Sequence, residues 1–368
     1  MKILMALMGL EIGGAETHVV ELSKELKRRG HDIVVVSNGG VYENELEAFD
    51  IKCLHAPLHK RNAFLMYKSY KALEKIITEE KPDIVHAHAR IPAYICGLLQ
   101  NKYHFKFVTS AHWVFKVNSY LRKLTNWGDK TIAVSDDIKA YLMDNYSVPE
   151  ENITVTVNGI DTDKFSKDVS KEAAAEIGVD TTKPVLLYVS RLDEDRSLAA
   201  RQLLDIADKL KNKIEGLQIV VVGDGNDFEY IKRKADECNK KSADKYVFMT
   251  GARSDINKLV SLADVFIGVS RSALEAMSAE KLVILAGNEG FLGLFDENKK
   301  DIAAQTNYCL RGCAMPDQES LYNEIVKAFL LDAEEKISLG KLGRDNILNN
   351  YSTKKMADDC ESCYNSLS

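Results

Sequence analysis

Residues 184–197 read PVLLYVSRLDEDRS, and the architecture of the chain can be worked out from them. The apolar run 185–189 follows a proline and favours a strand buried on both faces, as in a parallel sheet. Arg191 and Arg196 follow in the next loop, before a helix predicted at 198–213. Ligands of open α/β sheets bind beyond the carboxyl ends of the strands, where the next helix presents its positive N-terminus. Two guanidinium groups at such an edge predict a phosphate or diphosphate site.

Strand-like and helix-like segments alternate on both sides of this stretch. Before it, the pattern predicts strands at 2–8, 32–37, 83–87, 105–110, 131–134 and 153–157. After it, predicted strands lie at 217–222, 246–250, 264–269 and 282–285. Strands that alternate with helices imply parallel sheets, and a chain of 368 residues exceeds one ordinary core. The sequence therefore predicts an α/β protein with two parallel sheets, joined by one linker, with a cleft between their carboxyl edges.

Turn-forming and polar residues suggest the domain limits. Residues 158–161 have turn chemistry, and the polar, helix-like stretch after them places the linker near 160–182. We therefore expect an N-terminal domain at 1–165 and a C-terminal domain at 166–348. The last helix, in the segment 349–368, is a candidate to pack back on the N-terminal domain.

The composition is that of a globular protein, with 45% hydrophobic and 28% charged residues and a net charge of −6. An acidic chain without a basic recognition module gives no support to nucleic acid as a partner. Seven cysteines at irregular spacing argue against a secreted disulfide scaffold. The apolar N-terminus fits a first strand better than a signal peptide, and no apolar run approaches the roughly 18 residues of a membrane span. We expect a cytoplasmic location, with peripheral contact to the inner face of the membrane as a further option.

Basic residues are concentrated between positions 60 and 123, where 12 Lys and Arg stand against 4 Asp and Glu. Two segments, 58–75 and 113–123, mix these charges with aromatic residues. Such stretches suit an anionic membrane surface or a lipid-linked acceptor. The structural alternative is a helix whose aromatic residues pack on the sheet while its lysines face water.

Short polar or glycine-containing motifs follow the predicted strands in a fixed order. Glycines at these positions allow a ligand to approach the backbone at a helix N-terminus. Each motif is weak evidence alone, because any tight strand–helix turn can use the same residues. In chain order they are Gly13-Gly14-Ala15-Glu16, His86-Ala87-His88, Thr109-Ser110-Ala111-His112, Ala133-Val134-Ser135, Asn158-Gly159-Ile160-Asp161, Val189-Ser190-Arg191-Leu192, Gly223-Asp224-Gly225 and Leu274-Glu275-Ala276-Met277.

Together the eight motifs resemble those of family 4 glycosyltransferases with the GT-B architecture, and the resemblance covers nearly the whole chain. It implies two Rossmann-like domains whose parallel sheets face each other across a cleft. It also implies a retaining, metal-independent transfer of a sugar from a nucleotide-sugar donor, a UDP-sugar being favoured, to a glycan or lipid-linked acceptor. By the same resemblance the C-terminal domain holds the donor, the N-terminal domain holds the acceptor, and no cofactor is needed. Such an enzyme would serve cell-surface polysaccharide or glycolipid synthesis.

The resemblance assigns the departing diphosphate to Arg191 and Arg196. The family usually has lysine followed by glycine where this chain has Arg196 and Ser197, so the charge is retained in a planar form. Two fixed cations and the backbone N–H of Gly14, next to Gly13, can stabilise the leaving group without a metal ion. An exposed arginine at a helix start, without a ligand role, is the alternative for Arg196.

Three further residues are assigned to the donor and the reacting centre by the same resemblance. Glu275 would accept hydrogen bonds from the ribose hydroxyls of the nucleotide, and the loop of Arg253 would hold the base. His112 would lie near the transferred sugar, where it could bond a hydroxyl or stabilise developing charge. The alternatives are an acid that complements a helix dipole, for Glu275, and a capping or packing histidine, for His112.

On the acceptor side the candidates are Glu16, His86 and His88. His86 and His88 are two residues apart on a predicted strand and therefore point to one face. Metal binding would need a third ligand that the sequence does not indicate, so no metal site is predicted. An acceptor-side role or a structural role is left for the two histidines.

The chain departs from the family in the loop before Glu275. Family members usually carry an earlier glutamate that contacts the donor sugar, separated from this one by seven residues, but that position is Ile267. Arg271 and Ser272 occupy the shortened turn and form a second candidate anion site. Glu289, in the loop after the following strand, is a candidate replacement for the missing acid.

The missing glutamate leaves two other classes of protein open. One is a catalytically silent, glycosyltransferase-like subunit that binds a nucleotide sugar or a partner. The other is a nucleotide-sugar 2-epimerase, which shares the architecture and needs no acceptor. Retention of both diphosphate cations and of His112 favours an active glycosyltransferase over either alternative.

Overall fold

The computed structural model describes residues 1–115, 117, 122 and 125–367. The chain divides into two compact units. Unit 1 contains Met1–Gly159 and Ser352–Ser368, and unit 2 contains Ile160–Tyr351. Among the described residues, no helix combines the length and the apolar character that crossing a bilayer requires.

The described part of unit 1 is built on one parallel sheet of seven strands. They are β1 (Lys2–Ala6), β2 (Asp32–Ser37), β3 (Lys52–His55), β4 (Ile84–Ala87), β5 (Lys106–Ala111), β6 (Lys130–Ala133) and β7 (Ile153–Val155). Their order across the sheet is β3-β2-β1-β4-β5-β6-β7. The strand order reverses at β1 and β4, and the crevice beyond such a reversal is where open α/β sheets bind their ligands.

Helices supply the apolar side chains that cover this sheet. In the described residues of its N-terminal segment they are α1 (Gly14–Arg28), α2 (Glu43–Glu47), α3 (Ala63–Glu80), α4 (Arg90–Tyr103) and α5 (Asp136–Tyr146), with a 3-10 turn at Glu150–Asn152. Alternate residues of β1 enter different apolar clusters, Ile3 and Met5 with side chains of α1, Leu4 and Ala6 with side chains of α3 and α4. This alternation explains why β1 reads as continuously apolar.

The C-terminal helix α14 (Thr353–Asn365) belongs to unit 1, where it packs on α1. Met356, Cys360 and Tyr364 are buried in the same apolar cluster as the α1 residues. At the rim of this contact, Arg29 donates to Asp358 (2.7 Å) and to Glu361 (2.6 Å). The chain therefore returns to its first unit after completing the second.

Unit 2 is built on a second sheet, mostly parallel. Its strands are β8 (Val185–Val189), β9 (Gln218–Val222), β10 (Val247–Gly251), β11 (Val265–Gly268), β12 (Leu282–Gly287) and β13 (Gly290–Leu294), in the order β10-β9-β8-β11-β12-β13. The first five are parallel, and β13 returns antiparallel to β12 after the turn Asn288-Glu289. The sequence pattern predicts strands only as far as 282–285, and Gly290 and Gly293 weaken the strand signal of β13.

The helices of unit 2 complete an α/β arrangement of the same kind. They are α6 (Lys171–Ile177), α7 (Leu198–Lys213), α8 (Phe228–Lys240), α9 (Ile256–Ser261), α10 (Ser270–Ser278), α11 (Lys300–Ala304), α12 (Gln318–Leu330) and α13 (Ala333–Asn350), with a 3-10 turn at Glu297–Lys299. The prediction of two Rossmann-like α/β domains built on parallel sheets is confirmed. The antiparallel edge strand β13 is an addition to it.

The unit limits differ from the predicted domain limits by a few residues. The first unit ends at Gly159 rather than at 165, because Phe165 is buried in unit 2 and its carbonyl accepts from the Ser278 hydroxyl (2.9 Å). The second unit ends at Tyr351 rather than at 348, since the Tyr351 ring packs edge-on against Tyr308 at 5.4 Å. Tertiary packing, which polar composition does not reveal, sets both limits.

Candidate active site

The loop between β8 and α7 carries both arginines that the sequence analysis assigned to a diphosphate, and it is fastened to the loop after β9. The backbone N–H of Leu192 donates to the carbonyl of Asp224 (2.9 Å). In return, the backbone N–H of Asp227 donates to the carbonyl of Leu192 (2.8 Å). These hydrogen bonds hold the arginine loop against the Gly223-Asp224-Gly225 loop at the carboxyl edge of the unit 2 sheet.

Glycines make this close approach of the two loops possible. A Cβ built on Gly225 would lie 2.7 Å from the backbone nitrogen of Asp193 and closer still to the carbonyl group of Leu192. A Cβ built on Gly223 would overlap the carbonyl oxygen of Ser190, and Gly223 also has a φ of +142°. Both positions therefore require glycine, which explains the Gly-Asp-Gly motif physically.

Side chains fix the end of the arginine loop where α7 begins. The Ser197 hydroxyl donates to the buried carboxylate of Asp227, which also accepts two hydrogen bonds from Arg201. The hydrogen bonds from Arg201 are the main cause of the lowered pKa of Asp227. At the helix start, the side-chain oxygen of Asn288 accepts from the backbone N–H of Leu198 (2.9 Å). The turn between β12 and β13 thus caps the helix that follows the arginines.

Within this fixed loop, the guanidinium groups of Arg191 and Arg196 face solvent. Arg191 has 52% of its side chain exposed, and its Nε lies 3.7 Å from the carboxylate of Asp193. Arg196 is exposed, while its backbone N–H donates to the carbonyl of Asp193 (2.8 Å). Its own carbonyl accepts from the buried Tyr188 hydroxyl (3.4 Å). Two exposed cations therefore project from one hydrogen-bonded loop at the edge of the sheet.

The helix α10 contains the residues of the shortened turn. Arg271 and Glu275 are both buried and form an ion pair of 3.0 Å between Nε and Oε1. One carboxylate oxygen of Glu275, the residue predicted to bind a ribose, is therefore engaged within the helix. The hydroxyl of Ser272 donates to the carbonyls of Val269 (3.0 Å) and Val189 (3.3 Å), so it lies beside the end of β8.

Two of the predicted donor-side residues are held in ion pairs. Arg253 donates to both carboxylate oxygens of Glu176 and to both of Asp255. These hydrogen bonds raise its pKa and tie its loop to α6. Glu289 stands at the tip of the β12–β13 turn and pairs with Arg311 at 3.2 Å. The donor-side roles of Arg253 and Glu289 stay predictions, and Glu289 follows Asn288, which caps the start of α7.

Unit 1 has its own candidate site, a cavity of about 430 Å³ at the carboxyl ends of its strands. Its wall combines the charged side chains of Glu16, Arg61 and Arg90 with the aromatic rings of Trp113 and Trp127. Aromatic faces and charged hydrogen-bonding groups in one concave site are the combination that binds small polar ligands.

The first helix begins at the edge of this cavity. Gly13 is the residue before α1 and has an extended backbone, so the helix starts at Gly14. The Thr17 hydroxyl donates to the Gly13 carbonyl (2.8 Å). The carboxylate of Glu16 folds over Gly13, where a Cβ would overlap it, whereas a Cβ on Gly14 would have no described atom within 4 Å. A side chain would therefore have room at Gly14, and the role of this glycine toward a ligand stays a prediction.

His86 does not reach the cavity. It is fully buried, and both of its ring nitrogens are engaged, with the Tyr364 hydroxyl at 2.7 Å and the Ser110 hydroxyl at 2.8 Å. Burial lowers the pKa of His86 to about 3. Its assignment to the acceptor side is therefore corrected to a structural role, joining the C-terminal helix to β5.

His88 and His112 do line the cavity, and they are joined there by a residue that the sequence analysis missed. His88 Nδ1 lies 3.2 Å from His112 Nε2, and the rings of His18 and His112 have centroids 4.7 Å apart. His18, on α1, is buried and has its Nδ1 3.2 Å from the side-chain oxygen of Asn158. Burial lowers the pKa of His112 to about 4 and keeps its imidazole neutral. His18 lies four residues after Gly14, one turn further along α1. This helical spacing is the signal that could have identified His18 from the sequence.

Part of one predicted membrane segment lies outside the described residues. Lys116, Tyr120, Leu121 and Lys123 of the segment 113–123 are not described, whereas Trp113, Phe115 and Arg122 are. Arg122 is exposed and donates to the Ser147 hydroxyl (2.9 Å).

Comparisons with known proteins agree with this architecture. Residues 12–164 match the family described as Glycosyltransferase Family 4, and residues 169–332 match Glycosyl transferases group 1. Two parallel-sheet, Rossmann-like units of this kind define the GT-B fold. The chain belongs to the family 4 glycosyltransferases, and it is therefore a glycosyltransferase.

Individual relatives support the same conclusion along the whole chain. An N-acetyl-alpha-D-glucosaminyl L-malate synthase of Bacillus anthracis is 21% identical over 96% of this chain and 94% of its own length. A UDP-Gal:alpha-D-GlcNAc-diphosphoundecaprenol alpha-1,3-galactosyltransferase of Escherichia coli is 25% identical over 85% of this chain and 84% of its own. A glycosyltransferase structure from Rickettsia africae has a TM-score of 0.80 at 23% identity, with 100% of this chain and 98% of the other covered.

Proposed function

We propose that this glycosyltransferase moves a sugar from a UDP-sugar to a glycan or lipid-linked acceptor, with retention at the anomeric carbon and without a metal ion in the transfer step. The observation that supports the donor side is the arginine loop, in which Arg191 and Arg196 project from a backbone held by neighbouring loops. UDP and a lipid-linked acceptor are suggested by the galactosyltransferase relative, whose name contains both. A role in cell-surface polysaccharide or glycolipid synthesis would follow.

The chemistry explains why fixed cations would matter. During transfer the bond between the anomeric carbon and the diphosphate oxygen breaks, the acceptor hydroxyl oxygen bonds to that carbon, and the hydroxyl proton passes to the departing diphosphate. Negative charge grows on the diphosphate as its bond breaks, and groups already in place stabilise that charge at little reorganisation cost. Arg191 and Arg196 would supply this stabilisation.

The histidines of the cavity suit the sugar and acceptor side of the reaction. A neutral imidazole offers one donor and one acceptor, which matches sugar hydroxyl groups. His112 would bond the transferred sugar, and His88 with Glu16 would contact the acceptor. The aromatic wall of the cavity would pack on the apolar face of a sugar ring.

Calorimetric titration of the full-length chain with UDP, GDP and ADP tests the donor proposal. We expect UDP to bind best, and Arg191→Gln and Arg196→Gln each to weaken it about tenfold to a hundredfold, the effect of about 1.5–3 kcal/mol for a hydrogen bond to a charged group. Arg233→Gln is the matched control, because Arg233 is an exposed arginine of α8 outside the loop. Unchanged UDP binding in the double arginine variant would overturn the assignment.

Measurement of UDP release separates the competing classes of protein. A transferase releases UDP from a UDP-sugar only when an acceptor is present, and the anomeric configuration of the product reports retention. A silent subunit releases none, and a 2-epimerase forms product from the donor alone. Activity that survives EDTA would support transfer without a metal ion, whereas strict dependence on Mg²⁺ would refute it.

We further propose that the start of α3 contacts an anionic membrane. Met66 and Tyr70 pack against the core, as the structural alternative expects, but Phe64 and Tyr67 are 63% and 62% exposed. Lysines and arginines surround them, and Lys68 Nζ lies 4.4 Å from the Phe64 ring centre. Exposed aromatic rings among cations on one helix are typical of an interfacial anchor.

Liposome sedimentation tests this contact. The double variant Phe64→Ser/Tyr67→Ser should bind anionic vesicles at least tenfold more weakly, because each ring would lose about 1–2 kcal/mol of apolar burial. Leu330→Ser removes an equally exposed apolar side chain from α12 and should leave binding unchanged. Equal binding by all three proteins would end the proposal.

A further inference from the structure

Three histidines from separate parts of the sequence lie together beside the cavity of unit 1, whose lining includes two of them, His88 and His112. His18 lies on α1, His88 follows β4 and His112 follows β5, and β1, β4 and β5 are neighbours in the sheet. One ring nitrogen from each histidine lies within 4.8 Å of the corresponding nitrogens of the other two. Three nitrogens at such distances need only small side-chain adjustments to share one ion, whose bonds to nitrogen are about 2.0–2.1 Å long.

The partners of the rings present suitable nitrogen atoms to the common centre. The amide oxygen of Asn158 can only accept, so the Nδ1 of His18 carries the proton and its Nε2 carries the lone pair. The Nε2 of His88 lies 3.5 Å from the thioether of Met5, a weak acceptor for its N–H, so the Nδ1 of His88 accepts from the Nε2 of His112, whose proton must leave Nε2 when a metal ion binds. Outer partners that set the tautomer of each imidazole are a regular feature of histidine metal sites.

Burial also suits metal ligands at this place. His18 and His88 are 0% and 5% exposed. His88 and His112 line the cavity, so a fourth ligand such as water would come from there. Three protein ligands and one open position form a common arrangement for zinc.

We propose that His18, His88 and His112 form a binding site for a divalent transition metal of the zinc class in unit 1. The proposal goes beyond the transferase activity, for which we propose no metal ion. Imidazole ligands favour Zn²⁺, Co²⁺ and Ni²⁺, whereas Mg²⁺ and Ca²⁺ require oxygen ligands. A metal ion on His112 would withdraw its Nε2 from a bound sugar, so occupancy of the site should inhibit transfer.

Titration of the metal-free, full-length chain with Co²⁺ tests the proposal. We expect one tight Co²⁺ per chain with visible absorption of low-coordinate cobalt, displaced by Zn²⁺ and not by Mg²⁺. The chain has seven free cysteines, so the absence of sulfur-to-cobalt charge-transfer absorption must also be shown. Thiolate absorption, or no tight Co²⁺, would overturn the proposal.

Two variants and a control locate the site. His18→Gln should weaken Co²⁺ binding more than a hundredfold, and Asn158→Ala about tenfold to a hundredfold, the range known for second-shell partners. His55→Ala is the control, because His55 is an exposed histidine paired with Glu43 outside the cluster. Equal affinity in His18→Gln and the unsubstituted chain would refute the assignment.

X-ray absorption of the zinc-loaded, unsubstituted chain gives an answer that does not depend on the folding of any variant. Three imidazole nitrogens at about 2.0–2.1 Å are expected around the ion. Sulfur scattering at about 2.3 Å would place the zinc on cysteine and overturn the proposal.

Binding assays for UDP report on unit 2, so loss of zinc binding with intact UDP binding separates this proposal from the transferase assignment.

Discussion

Substitution of Gly225 by alanine tests how strongly the arginine loop depends on its neighbour. The added Cβ would lie 2.7 Å from the backbone nitrogen of Asp193, whereas relaxed contacts of carbon with backbone atoms are about 3.5 Å. The nearest atoms belong to the backbone, so they cannot rotate away as a side chain would. The arginine loop must therefore move by about 1 Å, and Arg191 and Arg196 move with it.

A displacement of this size has a large expected cost for a preorganised anion site. Misplacement of binding groups by about 1 Å can reduce rates about a hundredfold, and overpacking of this kind costs about 1–3 kcal/mol of stability. We expect Gly225→Ala to bind UDP about tenfold to a hundredfold more weakly while the chain remains folded by circular dichroism. Gly9→Ala is the control, since its Cβ would meet only the carbonyl oxygen of Gly39 at an ordinary 3.5 Å. Undiminished UDP affinity in a folded Gly225→Ala chain would contradict the reasoning.

Two further predictions concern the return of the C-terminal helix to unit 1. Burial alone would raise the pKa of Glu361, but hydrogen bonds from His31 and Arg29 outweigh it and hold the pKa below its usual value. Glu361→Gln should therefore cost about 1–2 kcal/mol in urea unfolding at pH 7, and this difference should shrink as the pH falls below about 4. A difference in unfolding free energy that grows as the pH falls would refute the predicted direction of this pH dependence. Tyr364→Phe removes the hydroxyl that meets His86 and should cost about 1–3 kcal/mol, measured by the same unfolding transition, while a loss below 0.5 kcal/mol, about the scatter of such measurements, would show that the buried hydrogen bond is not needed.

The sequence could predict those parts of the site whose functional residues lie close together in a single segment of the chain. The apolar run 185–189 and the two arginines after it are contiguous, so the strand, the loop and its cations could be placed together. The motifs Gly13-Gly14 and Gly223-Asp224-Gly225 follow their strands directly. In each case the chemistry lies within a few residues of a strand end, where parallel topology places ligand sites.

The parts that could not be predicted depend on distant partners. The loop of Arg253 was expected to hold the base of the nucleotide. Glu176, which lies 77 positions away in the chain, accepts hydrogen bonds from the Arg253 guanidinium. His86 was expected at the cavity, but a tyrosine 278 positions further on, Tyr364, lies against it. The pair Arg271 and Glu275 is different, because a spacing of four on a helix is a recognised ion-pair signal that the sequence analysis passed over.

The residues that depart from the family pattern form hydrogen bonds with their surroundings in the folded chain. Ser197 replaces the usual glycine, and its hydroxyl donates to Asp227, which also holds Arg201. In the turn after β12, Asn288 caps the helix that begins immediately after Ser197. In a site that had lost its function, we would expect polar side chains without hydrogen-bond partners. No selection would then preserve contacts that compensate for a substitution. Here the substituted residues support the loop of Arg191 and Arg196, and this favours a remodelled donor site over a decayed one.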